Sequence, residues 1–256
     1  MRNRYIALIP AYEPEQRLAG LTDDLKKRGF DVVVVDDGSG PDYRALFEEL
    51  AQKATVLTHA KNRGKGAALK TGLNYINKYM AYTESVLTPA GTEVVSGRDA
   101  VIVTVDADGQ HLPDDVRRVA EISSQRRDAL VLGSRALDKD IPARSRFGNT
   151  VTRHVYSAAT GVRVHDTQTG LRAFHRGLIP RLLEIEGDRY EYEINMLMQL
   201  AAEGVPIIEE RIETVYEDNN SGSHFRTLSD SFRVYKEILK FSASSLASFA
   251  IDYGMY

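Results

Sequence analysis

Three features of the sequence predict an α/β fold with a mainly parallel sheet covered by helices on both faces. Short apolar runs rich in β-branched residues alternate with longer stretches of helical spacing, each run lies near Gly, Pro or polar punctuation, and polar turn-forming residues follow several runs. In order, residues 5–9 read as a buried strand, 16–28 as a helix, 32–35 as a strand, 43–53 as a helix and 55–57 as a strand. Residues 66–80 read as a helix, 101–105 as a strand, 114–124 as a helix and 130–132 as a strand. Residues 81–99 lack periodicity, carry Pro89, Gly91 and Gly97, and read as a surface insertion. No internal repeat is visible.

A chain of 256 residues suffices for one large α/β domain or two small ones and buries a core without staples. Its formal net charge of -3 provides no global attraction to nucleic acid or to an anionic membrane, so no nucleic-acid partner is expected. The absence of cysteine removes disulfides, thiolate metal sites and cysteine nucleophiles together. The short apolar run that ends at Pro10 lacks the form of a secretory signal, so the expected setting is the cytoplasm.

The expected division is a catalytic domain over residues 1–222 and a C-terminal amphipathic helix with the start of a membrane segment over 223–256. Arg233, Lys236 and Lys240 recur at helical spacing opposite Phe232, Tyr235 and Leu239, which suits a basic helix lying on a membrane surface or one packed on the domain. The run 241–256 carries Asp252 as its only charge, and a spanning helix needs about 20 apolar residues, so this Ser-rich run is too short to cross a bilayer alone.

Ligands of open parallel sheets bind beyond the carboxyl ends of the strands. Those ends carry Pro10, Ala11, Tyr12 and Glu13; Asp36, Asp37 and Gly38; and Asp106, Ala107 and Asp108. If extended backbone continues past residue 105, Asp106, Asp108 and Gln110 project to one side and offer oxygen donors suited to Mg²⁺ or Mn²⁺. The same acids also suit a polar turn before the helix that starts near Pro113. In Asp36-Asp37-Gly38 a carboxylate can accept from a base imide or ribose hydroxyls, or the pair Asp37-Gly38 forms a plain turn, and Arg63-Gly64-Lys65-Gly66 opens a helix as a phosphate neighbour. Neither a Walker A loop nor a dinucleotide glycine fingerprint is present. Arg135, Arg144, Arg146 and Arg153 can receive a second anion or form a solvated face, and Asp166 reads as a general base or as a carboxylate that orients its loop.

In order, Ile9-Pro10-Ala11-Tyr12, Val35-Asp36-Asp37-Gly38-Ser39, Asn62-Arg63-Gly64-Lys65-Gly66, Asp106-Ala107-Asp108-Gly109-Gln110-His111, Gly133-Ser134-Arg135 and Asp166-Thr167-Gln168-Thr169-Gly170-Leu171-Arg172 resemble the motifs of family 2 glycosyltransferases with the GT-A fold. The likeness runs from residue 5 to about 240 and is strongest to the dolichol-phosphate mannosyltransferase and polyprenyl-phosphate glycosyltransferase branch. It implies donor contacts from Pro10, Ala11, Tyr12, Glu13, Asp36, Asp37, Gly38, Lys65, Asp106 and Ala107, and a Mg²⁺ or Mn²⁺ held by Asp106, Asp108 and Gln110. It also implies catalytic roles for Asp108, Arg135, Arg146 and Asp166, with Arg135, Arg146 and Arg226 facing the acceptor phosphate or the donor diphosphate.

Two positions depart from the family pattern. Tyr12-Glu13-Pro14 stands where Tyr-Asn-Glu is usual, and Asn219 to Arg226 replaces a late Arg-x-x-Gly-x-Ser-Lys of mannosyltransferases. The C-terminal stretch is similar to bacterial members that continue into a small GtrA-type membrane domain. The expected reaction is inverting transfer of a hexose from a UDP- or GDP-sugar to an undecaprenyl or dolichyl phosphate at the inner face of the cell membrane. A hydroxyl acceptor, which needs a base such as Asp166, is the nearest alternative, and a non-catalytic nucleotide-sugar sensor is the more distant one.

Overall fold

The computed structural model describes residues 2–80, 83–88, 91–135, 153, 156–157 and 160–213. The elements are β1 (Arg2–Ala11), α1 (Arg17–Lys27), β2 (Phe30–Asp36), α2 (Arg44–Ala51), β3 (Thr55–Thr58), α3 (Lys65–Tyr79), β4 (Thr83–Thr88), β5 (Gly91–Thr104), α4 (Pro113–Gln125) and β6 (Leu130–Arg135). They continue with β7 (Arg172–His175), α5 (Ile179–Glu184), α6 (Glu191–Ala202) and β8 (Ile207–Ile212). The sheet order is β3-β2-β1-β5-β7-β6-β8, with β4 paired to β5. β7 runs against its neighbours β5 and β6, and β4 runs against β5, while the remaining pairs are parallel.

The period-two alternation of strands divides the core between the two faces. Ile6, Leu8, Val33, Val35, Ile102 and Phe174 face α3, α5 and α6, whereas Tyr5, Ala7, Ile9, Val32, Val34 and Val103 face α1, α2 and α4. Full burial of each such aliphatic side chain stabilises the fold by roughly 1.5–3 kcal/mol, so the sheet is held from both sides. The expected insertion is corrected here: residues 83–88 and 91–96 pair as an antiparallel hairpin that lengthens β5, with Thr83 opposite Ser96 and Thr88 opposite Gly91. Thr83, Val86 and Thr88 on one arm and Thr92, Val94 and Val95 on the other are β-branched residues that suit strand pairing.

Chain order explains where a ligand fits. The chain runs outward from β1 through β2 to β3, then returns to the other side of β1 as β5. Ligands bind at such a switch point, beyond the carboxyl ends of the strands. Register brings those ends level, with Ala11 opposite Asp36, Asp36 opposite Thr58 and Leu8 opposite Thr104.

Candidate functional site

At the end of β1 the chain turns at Glu13, which has φ 48° and is the one non-glycine residue with positive φ among the described residues. A left-handed conformation costs an ordinary residue roughly 1–2 kcal/mol, and the Ser39 hydroxyl holds it by accepting the Glu13 N–H at 2.9 Å. A hydrogen bond with Glu13 raises the Tyr12 hydroxyl above the usual tyrosine range.

Asp36 and Asp37 are both buried. Asp36 Oδ1 accepts the Ser39 N–H at 2.9 Å and so closes the turn through Gly38. Asp37 is the internal anchor of the loop before α3: its Oδ1 accepts the Arg63 N–H at 2.9 Å and its Oδ2 the Gly64 N–H at 2.7 Å. His59 bridges Asp37 and Thr71 through its two ring nitrogens, at 2.7 and 2.9 Å. The carboxylate expected to meet a base or ribose is thus also engaged with the chain's own N–H groups and shapes the loop before α3. That loop delivers Lys65, the first residue of α3.

The Lys65 ammonium lies 2.7 Å from Asp106 Oδ1 and 2.9 Å from Glu193 Oε2. Burial works against the charged form of each, but pairing prevails: Lys65 is held well above the usual lysine range, and Asp106, beside Lys65 and His111, well below the usual carboxylate range. Asp108 goes the other way. Burial and the adjacent Asp106 charge raise its carboxyl, and the Gln110 N–H, which donates to Asp108 Oδ1 at 3.1 Å, opposes that only in part.

β5 ends at Thr104, and Asp108 lies in a turn completed by Gly109 at φ 72°. Strand alternation therefore does not group Gln110 with the two acids, because the expected extended backbone gives way to the tight approach to α4. Pro113 at the first turn of α4, with Asp114 and Asp115 behind it, fits the expected helix start. Among the described residues no three His, Cys, Asp or Glu groups are arranged to hold a metal ion. Two close carboxylates still suit a hard cation whose other ligands are phosphate oxygens and water. Buried atoms lacking hydrogen-bond partners border the pair: both ring nitrogens of His111, whose Nε2 is 3.5 Å from Asp106 Oδ2, and Glu193 Oε1. The residues present fit such an ion.

Asp166 is fully buried and forms a two-pronged pair with Arg135, at 2.6 Å from Nε to Oδ2 and 3.0 Å from Nη2 to Oδ1. It also accepts the Gln168 N–H at 3.1 Å. Of the two readings of Asp166, the orienting one matches these contacts, which hold Arg135 and the Gln168 N–H. Thr169 Oγ1 donates to Gly133 O at 2.6 Å, and Thr104 Oγ1 donates to Gly170 O at 2.7 Å, which ties this loop to β6 and β5. Gly170 lies flat against Asp106, and a Cβ there would overlap its carboxylate. Arg172 is buried and donates to Thr169 O at 3.0 Å and Glu193 O at 2.5 Å.

Pro10, Ala11, Tyr12, Glu13, Asp36, Asp37, Gly38, Lys65, Asp106, Ala107 and Asp108 thus gather around adjoining strand ends, with Arg135 at the end of β6. Arg144, Arg146, Arg226 and the C-terminal amphipathic helix lie outside the described residues. Sequence reasoning does not single out Glu193 or His59. A signal for Glu193 exists: it shares an i, i+3, i+4, i+7 stripe with Met196, Leu197 and Leu200, all buried, so a charge there needs a partner.

The glycosyl transferase family 2 model matches residues 6–82. An uncharacterized protein of Methanocaldococcus jannaschii is 30% identical over 223 residues, 84% of this chain and 83% of that protein. The UDP-N-acetylglucosamine–dolichyl-phosphate N-acetylglucosaminyltransferase of Methanococcus voltae is 29% identical over 230 residues, 82% of this chain and 84% of that one. Among solved structures, mannosyl-3-phosphoglycerate synthase from Rubrobacter xylanophilus superposes with a TM-score of 0.62 at 16% identity, covering 97% of this chain and 75% of that chain, a likeness of fold.

Proposed function

Since the chain belongs to glycosyl transferase family 2 and has a GT-A scaffold, we propose that it moves a hexose, with inversion, from a nucleotide-diphosphate sugar to a polyprenyl phosphate at the cytoplasmic membrane face. One observation carries the acceptor class: Asp166 is fully buried and paired through both oxygens with Arg135. A hydroxyl nucleophile needs a base, whereas a phosphate oxygen is already ionised near neutral pH. A site whose expected base is locked into an arginine pair favours the phosphate. The dolichyl-phosphate relative of Methanococcus voltae supports the same acceptor chemistry.

In this reading Tyr12 and Glu13 line the nucleoside pocket, and Asp37 holds the Arg63–Gly64 N–H groups that set the start of α3. Asp106 and Asp108, with Gln110 in the same turn, would hold Mg²⁺ or Mn²⁺, which supplies charge neutralisation of the departing diphosphate. Arg135, kept rigid by Asp166, faces the acceptor phosphate or the diphosphate, where preorganised charge is most effective. Arg146 and Arg226 are assigned to the same anions from the sequence resemblance. The test is incubation with Mn²⁺, undecaprenyl phosphate and a panel of UDP- and GDP-sugars. Nucleotide released in step with a lipid-linked sugar is the expected result, and release that ignores the lipid would refute the acceptor.

A further inference from the structure

Lys65, a donor contact by the resemblance, also pairs with Glu193, and donor and acceptor binding leave that pair unexplained. One ammonium serves two carboxylates, the half-buried Asp106 and the buried Glu193, at 2.7 and 2.9 Å. Glu193 Oε1 is buried without a hydrogen-bond partner, which is costly. The carboxylate is fixed from below, because the Arg172 guanidinium clamps the Glu193 carbonyl at the first turn of α6. Lys65 has a long flexible stem with three rotatable donors, so it can shift between partners while α3 stays in place.

We propose that Glu193 is a positioning residue that receives Lys65 when a divalent cation takes Asp106, so that ammonium and metal exchange at one carboxylate. This rests on Asp106 and Asp108 being the metal carboxylates. Two cations do not share one small carboxylate closely without repulsion. The unpartnered Oε1 offers Lys65 a second acceptor on Glu193. Before the metal arrives Lys65 keeps Asp106 ionised and compensated in the buried site. Afterwards Glu193 keeps Lys65 compensated, and no buried charge is stranded at either stage.

The test is titration of the protein with Mn²⁺, followed by the electron paramagnetic resonance signal of the aqueous ion, without sugar donor and without turnover. Glu193→Gln should bind Mn²⁺ about tenfold more weakly, because Lys65 then has only Asp106 and must be displaced. Lys65→Met should bind it more tightly than the native chain, and adding Glu193→Gln to Lys65→Met should change little further. Equal affinity of Glu193→Gln and the native protein overturns the proposal, as does an equal loss in the Lys65→Met background, which would mean that Glu193 acts on the ion directly. If Glu193→Gln does not fold by circular dichroism, Lys65→Met decides alone: affinity no higher than native overturns the exchange. A native chain that binds no Mn²⁺ even with UDP overturns the metal reading itself and this inference with it, a result distinct from the others.

Discussion

Asp108 carries the clearest pH signature of the site. Burial and the Asp106 charge raise its carboxyl, so the folded state takes up a proton more readily than the unfolded chain does. Ionised Asp108 therefore lowers stability above the ordinary carboxylate range, and the penalty fades as pH falls through its raised folded value. A divalent ion must displace that same proton. The rise in melting temperature produced by Mn²⁺ plus UDP should consequently be larger at pH 7.5 than at pH 5, and a rise that does not change would refute the assignment. Asp108→Asn should lower transfer at least 100-fold with folding intact, measured as nucleotide release, since a neutral amide neither balances nor holds a divalent charge. At Asp166 the expected effect is structural. Asp166→Asn leaves Arg135 with half a partner at a partly exposed position, so we expect a loss of about 2–3 kcal/mol in denaturant unfolding and a higher KM for lipid phosphate.

At the scale of elements, the stretch from Asp166 to Leu171 that leads into β7 borders the site. Gly170 is held against the Asp106 carboxylate by the Thr104 hydroxyl, which reaches its carbonyl. Gly170→Ala must displace that carboxylate. It should reduce donor turnover about tenfold or more while α4 and the sheet persist, a pattern read from kinetics beside an unchanged circular dichroism spectrum. How far these elements are legible in sequence depends on the range of the forces that form them. The β-branched run 32–35 and the Pro113 start of α4 are local signals, and both agree with the structure. The strand pairing of residues 83–96 requires a partner segment, and a weakly patterned run does not reveal it. The orientation of β7 is equally hidden, because antiparallel insertion beside β5 depends on which neighbours remain available after the parallel strands have formed.

For the molecule as a whole, ligand linkage gives the broadest test. A nucleotide bound at 100 times its dissociation constant stabilises the native state by about 2.7 kcal/mol, so UDP- or GDP-sugars that fit should raise the melting temperature and the rest should not. No helix among the described residues is long and apolar enough to cross a membrane. The expectation of a surface helix rests on the sequence that carries Arg233, Lys236 and Lys240, outside the described residues. Flotation with anionic liposomes should recover the full chain with the lipid and leave a chain ending at Arg226 behind, and equal recovery of both would remove the surface helix.

The sequence by itself determined the α/β class, the strand ends that carry the chemistry and the family motifs, because residue type, period and turn chemistry act over a few neighbours. It also put Asp106 and Asp108 together, since two residues apart in one turn they cannot separate far. Only the tertiary structure decided what the charges do to one another. Lys65 reaches Asp106 across 41 positions of chain and Glu193 across 128, and Arg135 reaches Asp166 across 31. Whether a buried acid serves as base, anchor or ion ligand depends on such partners, because burial makes an unpaired charge too costly to keep.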